Sequence, residues 1–120
     1  KHFYDVIVET VKSGKEMEMF SDQLRSMIDF DTAAKVVVDL VETPQAQKFP
    51  IVNVSGDEAL SKYELGIRIC RTNGLDETKI KPISLENDNK IFTAKRAKST
   101  LLDNSLVKQI LNLRELKIRI

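Results

Sequence analysis

The stretch NVSGDEALSKYELGIRICRTNGLDETKIKPIS, residues 53–84, decides the fold. Its centre predicts a helix from about Ser61 to Thr72. Ser61 followed by Glu64 fits a capping box, in which each side chain hydrogen-bonds the other's backbone amide. Asn73-Gly74 is a strong helix C-terminal signal, because glycine readily adopts the left-handed conformation there. The residues after Gly74 predict one helical turn and then an extended piece through Pro82.

Working outward, apolar periodicity predicts a mixed α/β chain with more helix than strand. The helix after Asp31 and Thr32, which are good capping residues, is almost wholly apolar and suggests burial on more than one side. The predicted elements are a helix Phe3–Val11 ended by Gly14, a strand Glu16–Phe20, a polar loop Ser21–Ser26, a helix Ala33–Val41, a strand Pro50–Val54, a helix Ser105–Leu113, and an edge strand or docking segment over Arg114–Ile120.

Composition excludes several classes of function. A chain of 120 residues with 42% hydrophobic residues is long enough for one domain with its own core. A net charge of +1 gives no electrostatic argument for binding nucleic acid or an anionic membrane. Cys70 is the single cysteine and His2 the single histidine, so a zinc site of these residues has too few ligands.

The chain has no apolar run near the ~18 residues of a membrane span, and no signal-peptide pattern. We therefore expect a cytoplasmic protein. Because the chain opens with Lys1 rather than Met, we also expect it to be a piece of a longer protein.

The residues 61–63, Ser-Lys-Tyr, raise the question of catalysis, because short-chain dehydrogenases use these residue types to protonate a carbonyl. That chemistry needs Tyr-x-x-x-Lys, since residues at i and i+4 share a helix face. Position 67, four residues after Tyr63, is Ile, and position 8, four residues after Tyr4, is Val. Neither tyrosine qualifies, so we expect no catalytic residue in this chain.

The cofactor motif is also missing. A dinucleotide fold needs Gly-x-Gly-x-x-Gly between a strand and a helix, whereas the four glycines of this chain are scattered singly. We expect no cofactor-binding residue and no metal site here.

Three ordered segments nonetheless resemble one family. The stretch 53–84, the run FSDQLRSMIDFDTAAKVVVDLVE at 20–42 and the run TAKRAKSTLLDNSLV at 93–107 are similar to the C-terminal part of dTDP-4-dehydrorhamnose reductase-like proteins, a branch of the extended short-chain dehydrogenases/reductases. The departures are Met27 and Ile28, where the family has Pro-Thr, and Ala97, where it has Pro. Losing both prolines suggests loosened loops on the substrate side.

The resemblance implies an α/β fold, namely the substrate-binding part of an extended short-chain (Rossmann-type) reductase without the N-terminal nucleotide-binding half. It implies one substrate-binding lobe over residues 1–120. The longer protein would use NAD(P) to reduce the keto group of a nucleotide-linked 4-keto-6-deoxysugar, and its catalytic Tyr and Lys would precede Lys1.

The resemblance also implies substrate contacts from Arg25, with Gln23 and Ser26 beside it, and from Arg96. Arg25 would reach a diphosphate or a sugar hydroxyl. Arg96, with Lys95 and Lys98, forms a basic cluster suited to a nucleotide diphosphate. A solvated loop arginine and an ordinary surface cluster are the alternatives.

Two other functions stay open. The chain could belong to a non-catalytic regulatory protein, since the β subunit of methionine adenosyltransferase is in the same branch and docks to a partner enzyme. It could also fold without any activity of its own. Whatever the function, we expect the chain to self-associate or to be marginally stable, because the absent half would otherwise cover part of its apolar surface.

Overall fold

The computed structural model describes residues 2–85 and 97–120. These residues form a mixed α/β chain, as predicted. The helices are α1 (Phe3–Lys12), α2 (Phe30–Glu42), α3 (Lys62–Thr72) and α4 (Ser105–Leu111); the strands are β1 (Met17–Phe20), β2 (Leu24–Ser26), β3 (Ala59–Leu60), β4 (Ile80–Ile83) and β5 (Ser99–Thr100).

The chain divides into two compact units. The first holds Lys1–Leu24, Leu60–Ser99 and Ile120, and the second holds Arg25–Ala59 and Thr100–Arg119. The short strands β2, β3 and β5 each lie at a point where the chain passes from one unit to the other. The single lobe over residues 1–120 stays a prediction.

The first unit is built on a parallel pair of strands, β1 and β4, which run in register from Met17 opposite Ile80 to Phe20 opposite Ile83. Helices α1 and α3 pack with this pair, because their apolar faces need cover from water. The buried core consists of Ile7, Val11, Met19, Ile69, Cys70 and Ile80.

Helix α3 begins and ends as the sequence predicts. The Ser61 hydroxyl accepts a hydrogen bond from the Glu64 amide at 3.1 Å, which satisfies one of the unpaired amides of the first turn. Gly74 ends the helix with a φ of 64°, a conformation that costs glycine little. The predicted turn and extended piece follow as a 3-10 turn over Glu77–Lys79 and then β4.

The second unit has a smaller core of Val36, Val107 and Leu116. The predicted strand Pro50–Val54 is wrong, because residues 50–54 have no strand assignment. Val52 and Val54 nevertheless pack against the core. Ile51 is exposed, so the apolar run contributes two side chains to the core without a hydrogen-bonded strand partner.

Helix α2 starts earlier than predicted. Asp29, rather than Asp31 or Thr32, is the N-cap residue, and its carboxylate accepts from the Thr32 amide at 2.9 Å. The expectation of burial on more than one side is also wrong for the described residues. Only Val36 is fully buried on α2. Large apolar side chains on the opposite side stay exposed; we call Phe30, Val37, Val38 and Val41 the outer face of α2.

The C-terminal residues bind as a docking segment, and no strand is assigned over residues 116–120. Helix α4 ends at Leu111, two residues before the predicted end, and Asn112 adopts a left-handed conformation there. Leu116 is buried in the second unit. Its amide donates to the carboxylate of Asp57 at 2.8 Å. Carboxylates bind the Leu116 and Arg119 amides, and the Leu116 carbonyl accepts from the Asp57 amide at 2.8 Å. The tail is thus held by single contacts rather than by the hydrogen bonds of an edge strand.

Candidate functional site

Three of the four residues predicted to bind substrate lie in the segment 20–29, which extends from the last residue of β1 to the start of α2. We call residues 20–29 the site segment. The sequence predicts a polar loop here, but residues 24–26 form strand β2. Their partners are distant along the chain, since the Leu24 amide donates to the Lys98 carbonyl at 2.6 Å. A contact over 74 positions leaves no local pattern in the sequence.

Asp22 anchors the first part of the site segment within the first unit. Its carboxylate accepts from the Ser84 hydroxyl at 2.6 Å and from the Leu85 amide at 3.0 Å. The Ser21 amide adds a bond to the Ile83 carbonyl at 3.0 Å. The hydrogen bonds from Ser84 and then Leu85 hold the pKa of Asp22 below its usual value, because they favour the charged form.

Gln23 lies between these contacts and is buried, with 7% of its surface exposed. Its amide nitrogen, Nε2, has no hydrogen-bond partner among the residues that the structure describes. A buried donor without a partner costs about 1–3 kcal/mol. Such a group is uncommon in folded proteins and is a feature that a bound acceptor could satisfy.

Arg25 and Ser26 belong to the second unit and are half-buried on β2. The Ser26 hydroxyl accepts from the Leu102 amide at 2.9 Å, and the Ser26 carbonyl accepts from the Gly56 amide at 3.3 Å. Ser26 is therefore occupied by the chain itself in this state. Arg25 offers the cationic side chain of the pair.

Asp29 fixes the other end of the site segment, within the second unit. Besides capping α2, its carboxylate accepts from the Arg119 amide at 2.8 Å. Partial burial raises the pKa of Asp29, but the bonds from the Arg119 and Thr32 amides outweigh it and leave the pKa lowered. Gly56 packs against the backbone beside it: a Cβ at Gly56 would lie 1.8 Å from the Met27 carbonyl oxygen.

The fourth predicted site residue, Arg96, lies outside the described residues, as does Lys95. The described residues on either side of 86–96 are bonded to the site segment, through Leu85 to Asp22 and through Lys98 to Leu24. Sequence reasoning missed Asp22 as an anchor. Its partners are 62 and 63 residues away, so no local spacing could have pointed to the contact.

The described residues around the tyrosines and the cysteine fit structural roles. Tyr63 packs against the first core, as predicted. The Tyr4 hydroxyl accepts from the Asn73 side chain at 2.8 Å. Cys70 is fully buried, and burial is the main cause that raises the pKa of its thiol, which disfavours the reactive thiolate.

A surface groove of about 350 Å³ lies along α3 in the first unit. Its charges are mixed in sign, and the Arg71 guanidinium donates to the Glu77 carboxylate from two nitrogens, with Nη2 to Oε1 at 3.2 Å. An anionic ligand would have to displace that carboxylate, so the groove is a weaker candidate than the site segment. Its lining consists of Tyr63, Glu64, Ile67, Arg68, Arg71 and Glu77.

Residues 2–85 and 97–120 contain no group of three or more His, Cys, Asp or Glu side chains that could hold a metal ion. None of the helices among them has the length and apolar character needed to cross a bilayer.

The fold is that of the substrate-binding part of dTDP-4-dehydrorhamnose reductases. The chain is similar to such a reductase from Bacillus anthracis str. Ames, solved in complex with NADP, with a TM-score of 0.79 and 16% identity over 98% of this chain and 40% of that chain. It is similar to a hypothetical dTDP-4-dehydrorhamnose reductase from Sulfolobus tokodaii, with a TM-score of 0.77 and 26% identity. The match covers 99% of this chain and 40% of that chain. It is also similar to a dTDP-4-dehydrorhamnose reductase from Clostridium acetobutylicum ATCC 824, with a TM-score of 0.76 and 19% identity. The match covers 98% of this chain and 40% of that chain.

The family follows from the sequence itself. The model of the RmlD substrate binding domain matches residues 1–119, and the chain belongs to that family. No curated protein matches the chain. The chain spans about 40% of the length of the solved reductases that it matches. The predicted resemblance and the predicted α/β fold class are confirmed, and the family is that of a substrate-binding domain.

Proposed function

We propose that this chain is the substrate-binding part of an NAD(P)-dependent reductase that acts on nucleotide-linked 4-keto-6-deoxysugars. The site segment would contact the nucleotide diphosphate and sugar through Gln23, Arg25 and Ser26, with Arg96 as a further cationic contact. The family match over residues 1–119 carries the proposal. The buried Nε2 of Gln23, which has no hydrogen-bond partner within residues 2–85 and 97–120, supports the location.

The charge of the candidate site suits an anionic ligand. Arginine binds phosphate oxygens through two parallel, charge-assisted hydrogen bonds. Both carboxylates of the site segment are engaged by the chain itself, because Asp22 accepts from Ser84 and Leu85, and Asp29 accepts from Thr32 and Arg119. Neutral Gln23 can donate to a sugar or phosphate oxygen without opposing that charge.

The residues of this chain do not fit NAD(P). A phosphate cradle needs glycines whose backbone a ligand can approach closely. A Cβ at Gly56 or Gly66 would meet protein atoms, the Met27 carbonyl oxygen and the Met19 sulfur respectively. Gly14 and Gly74 are single glycines just after helix ends. We propose that the cofactor and the catalytic residues belong to polypeptide outside this chain, in a cytoplasmic protein.

Calorimetric titration with dTDP or a dTDP-sugar tests the proposal. We expect weak binding, because a cleft lacking one wall leaves most of the ligand in water. Arg25→Ala and Arg96→Ala should each weaken binding by about 10-fold or more, the effect of losing one charged hydrogen bond. Arg114→Ala is the matched control, since Arg114 is exposed and distant in sequence from the site segment. No heat with the unaltered chain, or equal heats for all variants, would contradict the proposal.

The regulatory alternative is favoured by a separate observation, the exposed outer face of α2. A protein like the methionine adenosyltransferase β subunit would need such a surface to dock to a partner enzyme. Loss of the prolines at positions 27 and 97 points weakly the same way. Titration with the catalytic subunit of methionine adenosyltransferase should then give binding that Val41→Asp abolishes. Absence of binding would remove this alternative.

A further inference from the structure

The two sequence neighbours of Gln23, Asp22 and Leu24, are both hydrogen-bonded to distant parts of the chain. The Asp22 carboxylate is bonded to Ser84 and Leu85, which follow β4. The Leu24 amide is bonded to the Lys98 carbonyl, just before β5. All of these residues belong to the first unit. The backbone at Gln23 is therefore fixed at both neighbours by residues more than sixty positions away.

The side chain of Gln23 is the feature that this arrangement serves. Its Nε2 is buried and has no partner in the part of the chain that the structure describes. A flexible glutamine would rotate toward water or toward a protein acceptor, because an unmet buried donor is costly. Rigid anchors on both sides hold the backbone at this position and oppose that relaxation.

Both oxygens of the Asp22 carboxylate already accept hydrogen bonds from the chain. One oxygen accepts from Leu85 at 3.0 Å, and the other accepts from Ser84 at 2.6 Å and from Leu85 at 3.2 Å. A carboxylate would also repel a diphosphate. Asp22 is thus suited to fixing a neighbour rather than to touching an anionic substrate.

We infer that Asp22 is a positioning residue for Gln23, and that Gln23 donates its Nε2 hydrogen to an oxygen of the substrate's sugar or diphosphate. This inference rests on the proposed function and names one donor and its support within that site. Nε2 is covered in the unliganded chain, so the ligand reaches it by displacing the covering atoms. Because Nε2 has no partner among the described residues, its new hydrogen bond to the ligand favours this displacement.

A double-mutant cycle with dTDP-sugar tests the inference. Asp22→Ala and Gln23→Ala should each weaken binding by about 10-fold, as expected for one lost hydrogen bond to a charged or polar group. The double variant should be weaker by about the same factor rather than by their product, because Asp22 acts through Gln23. Asp22→Asn should recover part of the affinity, since an amide oxygen still accepts from Leu85.

Asp76→Ala is the matched control. The Asp76 carboxylate also accepts from a hydroxyl and an amide, both of Thr78, at 2.6 and 3.0 Å. Those bonds are local, so their loss should leave binding unchanged. Effects of Asp22→Ala and Gln23→Ala that multiply in the double variant, or wild-type affinity for Asp22→Ala, would overturn the inference.

Hydrogen exchange separates this inference from the proposed function. Asp22→Ala should speed exchange of the Leu85 amide by at least about 10-fold in the unliganded chain, while the Ile69 and Cys70 amides in α3 stay protected. Unchanged exchange at Leu85 would overturn the positioning role whether or not the chain binds ligand. If the unaltered chain binds no ligand, the proposed function and the donor role of Gln23 are both wrong. Faster exchange confined to Leu85 in Asp22→Ala would still show that Asp22 holds the backbone here.

Discussion

Asp57 joins three parts of the second unit through one carboxylate. It accepts from the Asn104 side chain at 2.7 Å, from Lys108 Nζ at 2.9 Å, and from the Leu116 amide at 2.8 Å. The hydrogen bond from Asn104 is the largest cause that lowers its pKa, to about 2. Asn104 also donates to the Ser55 carbonyl at 3.0 Å, so the start of α4 and the C-terminal tail depend on the same charge.

Replacing Asp57 should destabilise the chain. At pH 7 we expect Asp57→Asn to lower the free energy of unfolding by about 1–2 kcal/mol, a value reduced for the partial exposure of the ion pair. Urea denaturation measures it. Glu115→Gln is a suitable control, because Glu115 makes only an exposed ion pair with Lys117 at 3.6 Å. An equal loss for both variants would contradict the role of Asp57.

The pH dependence of that loss has a definite sign. The pKa of Asp57 is lowered from 3.8 to about 2 in the folded chain, so its stabilisation is complete above about pH 4 and is lost as the pH falls toward 2. The difference between the unaltered chain and Asp57→Asn should therefore shrink over that window. Other carboxylates titrate in both proteins, so the difference isolates Asp57. A constant difference from pH 7 to pH 2 would contradict this account.

Residue contacts of this kind are where prediction from sequence stops. Ser61 was predicted as a cap because its partner, Glu64, is three residues away. Asp29 also has a partner three residues away, Thr32, but Asp31 and Thr32 offered equally good caps nearby. Asp22 and Asp57 have partners 47 to 63 residues away. Rules based on composition or local spacing cannot predict contacts between residues that only folding brings together.

At the scale of elements, Gly56 and Gly66 both let neighbouring atoms approach closely, but a side chain would be tolerated less well at Gly56 than at Gly66. A Cβ at Gly56 would overlap the backbone oxygen of Met27 at 1.8 Å, which cannot move aside without shifting the site segment. A Cβ at Gly66, inside α3, would meet the flexible Met19 side chain at 2.9 Å. Glycine therefore matters more at position 56.

We expect Gly56→Ala to lower the free energy of unfolding by about 3 kcal/mol, the upper range for overpacking. Gly66→Ala is the control: its clash falls on a methionine, and alanine favours a helix over glycine by about 1 kcal/mol. Thermal or urea denaturation of both variants measures the contrast. A smaller loss for Gly56→Ala than for Gly66→Ala would show that the backbone at Met27 yields.

Elements were predictable where their cause is local. Helices α1 and α3 follow from apolar spacing and end near Gly14 and Gly74, where the sequence placed them. The sequence predicts a loop at β2 and a strand at residues 50–54, and both predictions are wrong because strand identity depends on a distant partner. Residues 85–100 show no periodicity, which predicts mostly loop; residues 86–96 lie outside the described residues, and Ser99–Thr100 form β5.

At the scale of the whole molecule, the outer face of α2 carries a prediction. Phe30, Val37 and Val41 recur at helical spacing, and their exposed fractions are 75%, 50% and 71%. Such a continuous apolar stripe normally faces a partner. Covering a large apolar side chain gains about 1.5–3 kcal/mol, so we expect self-association of this chain at micromolar concentration.

Sedimentation velocity tests the self-association. Val37→Asp and Val41→Asp should shift the chain toward the monomer, because a carboxylate in an apolar interface is costly to desolvate. Leu101→Asp is the matched control, since Leu101 is exposed and lies outside α2. A clean, stable monomer of the unaltered chain, or an equal effect of Leu101→Asp, would contradict the prediction.

The central claim is that the site segment binds a nucleotide-sugar. Amide chemical shifts of the 15N-labelled chain during titration with dTDP test it most directly. We expect the largest shifts at Gln23, Arg25 and their neighbours, with those along the α3 groove from Tyr63 to Arg71 unchanged. Shifts confined to the groove, or none at millimolar dTDP, would contradict the claim.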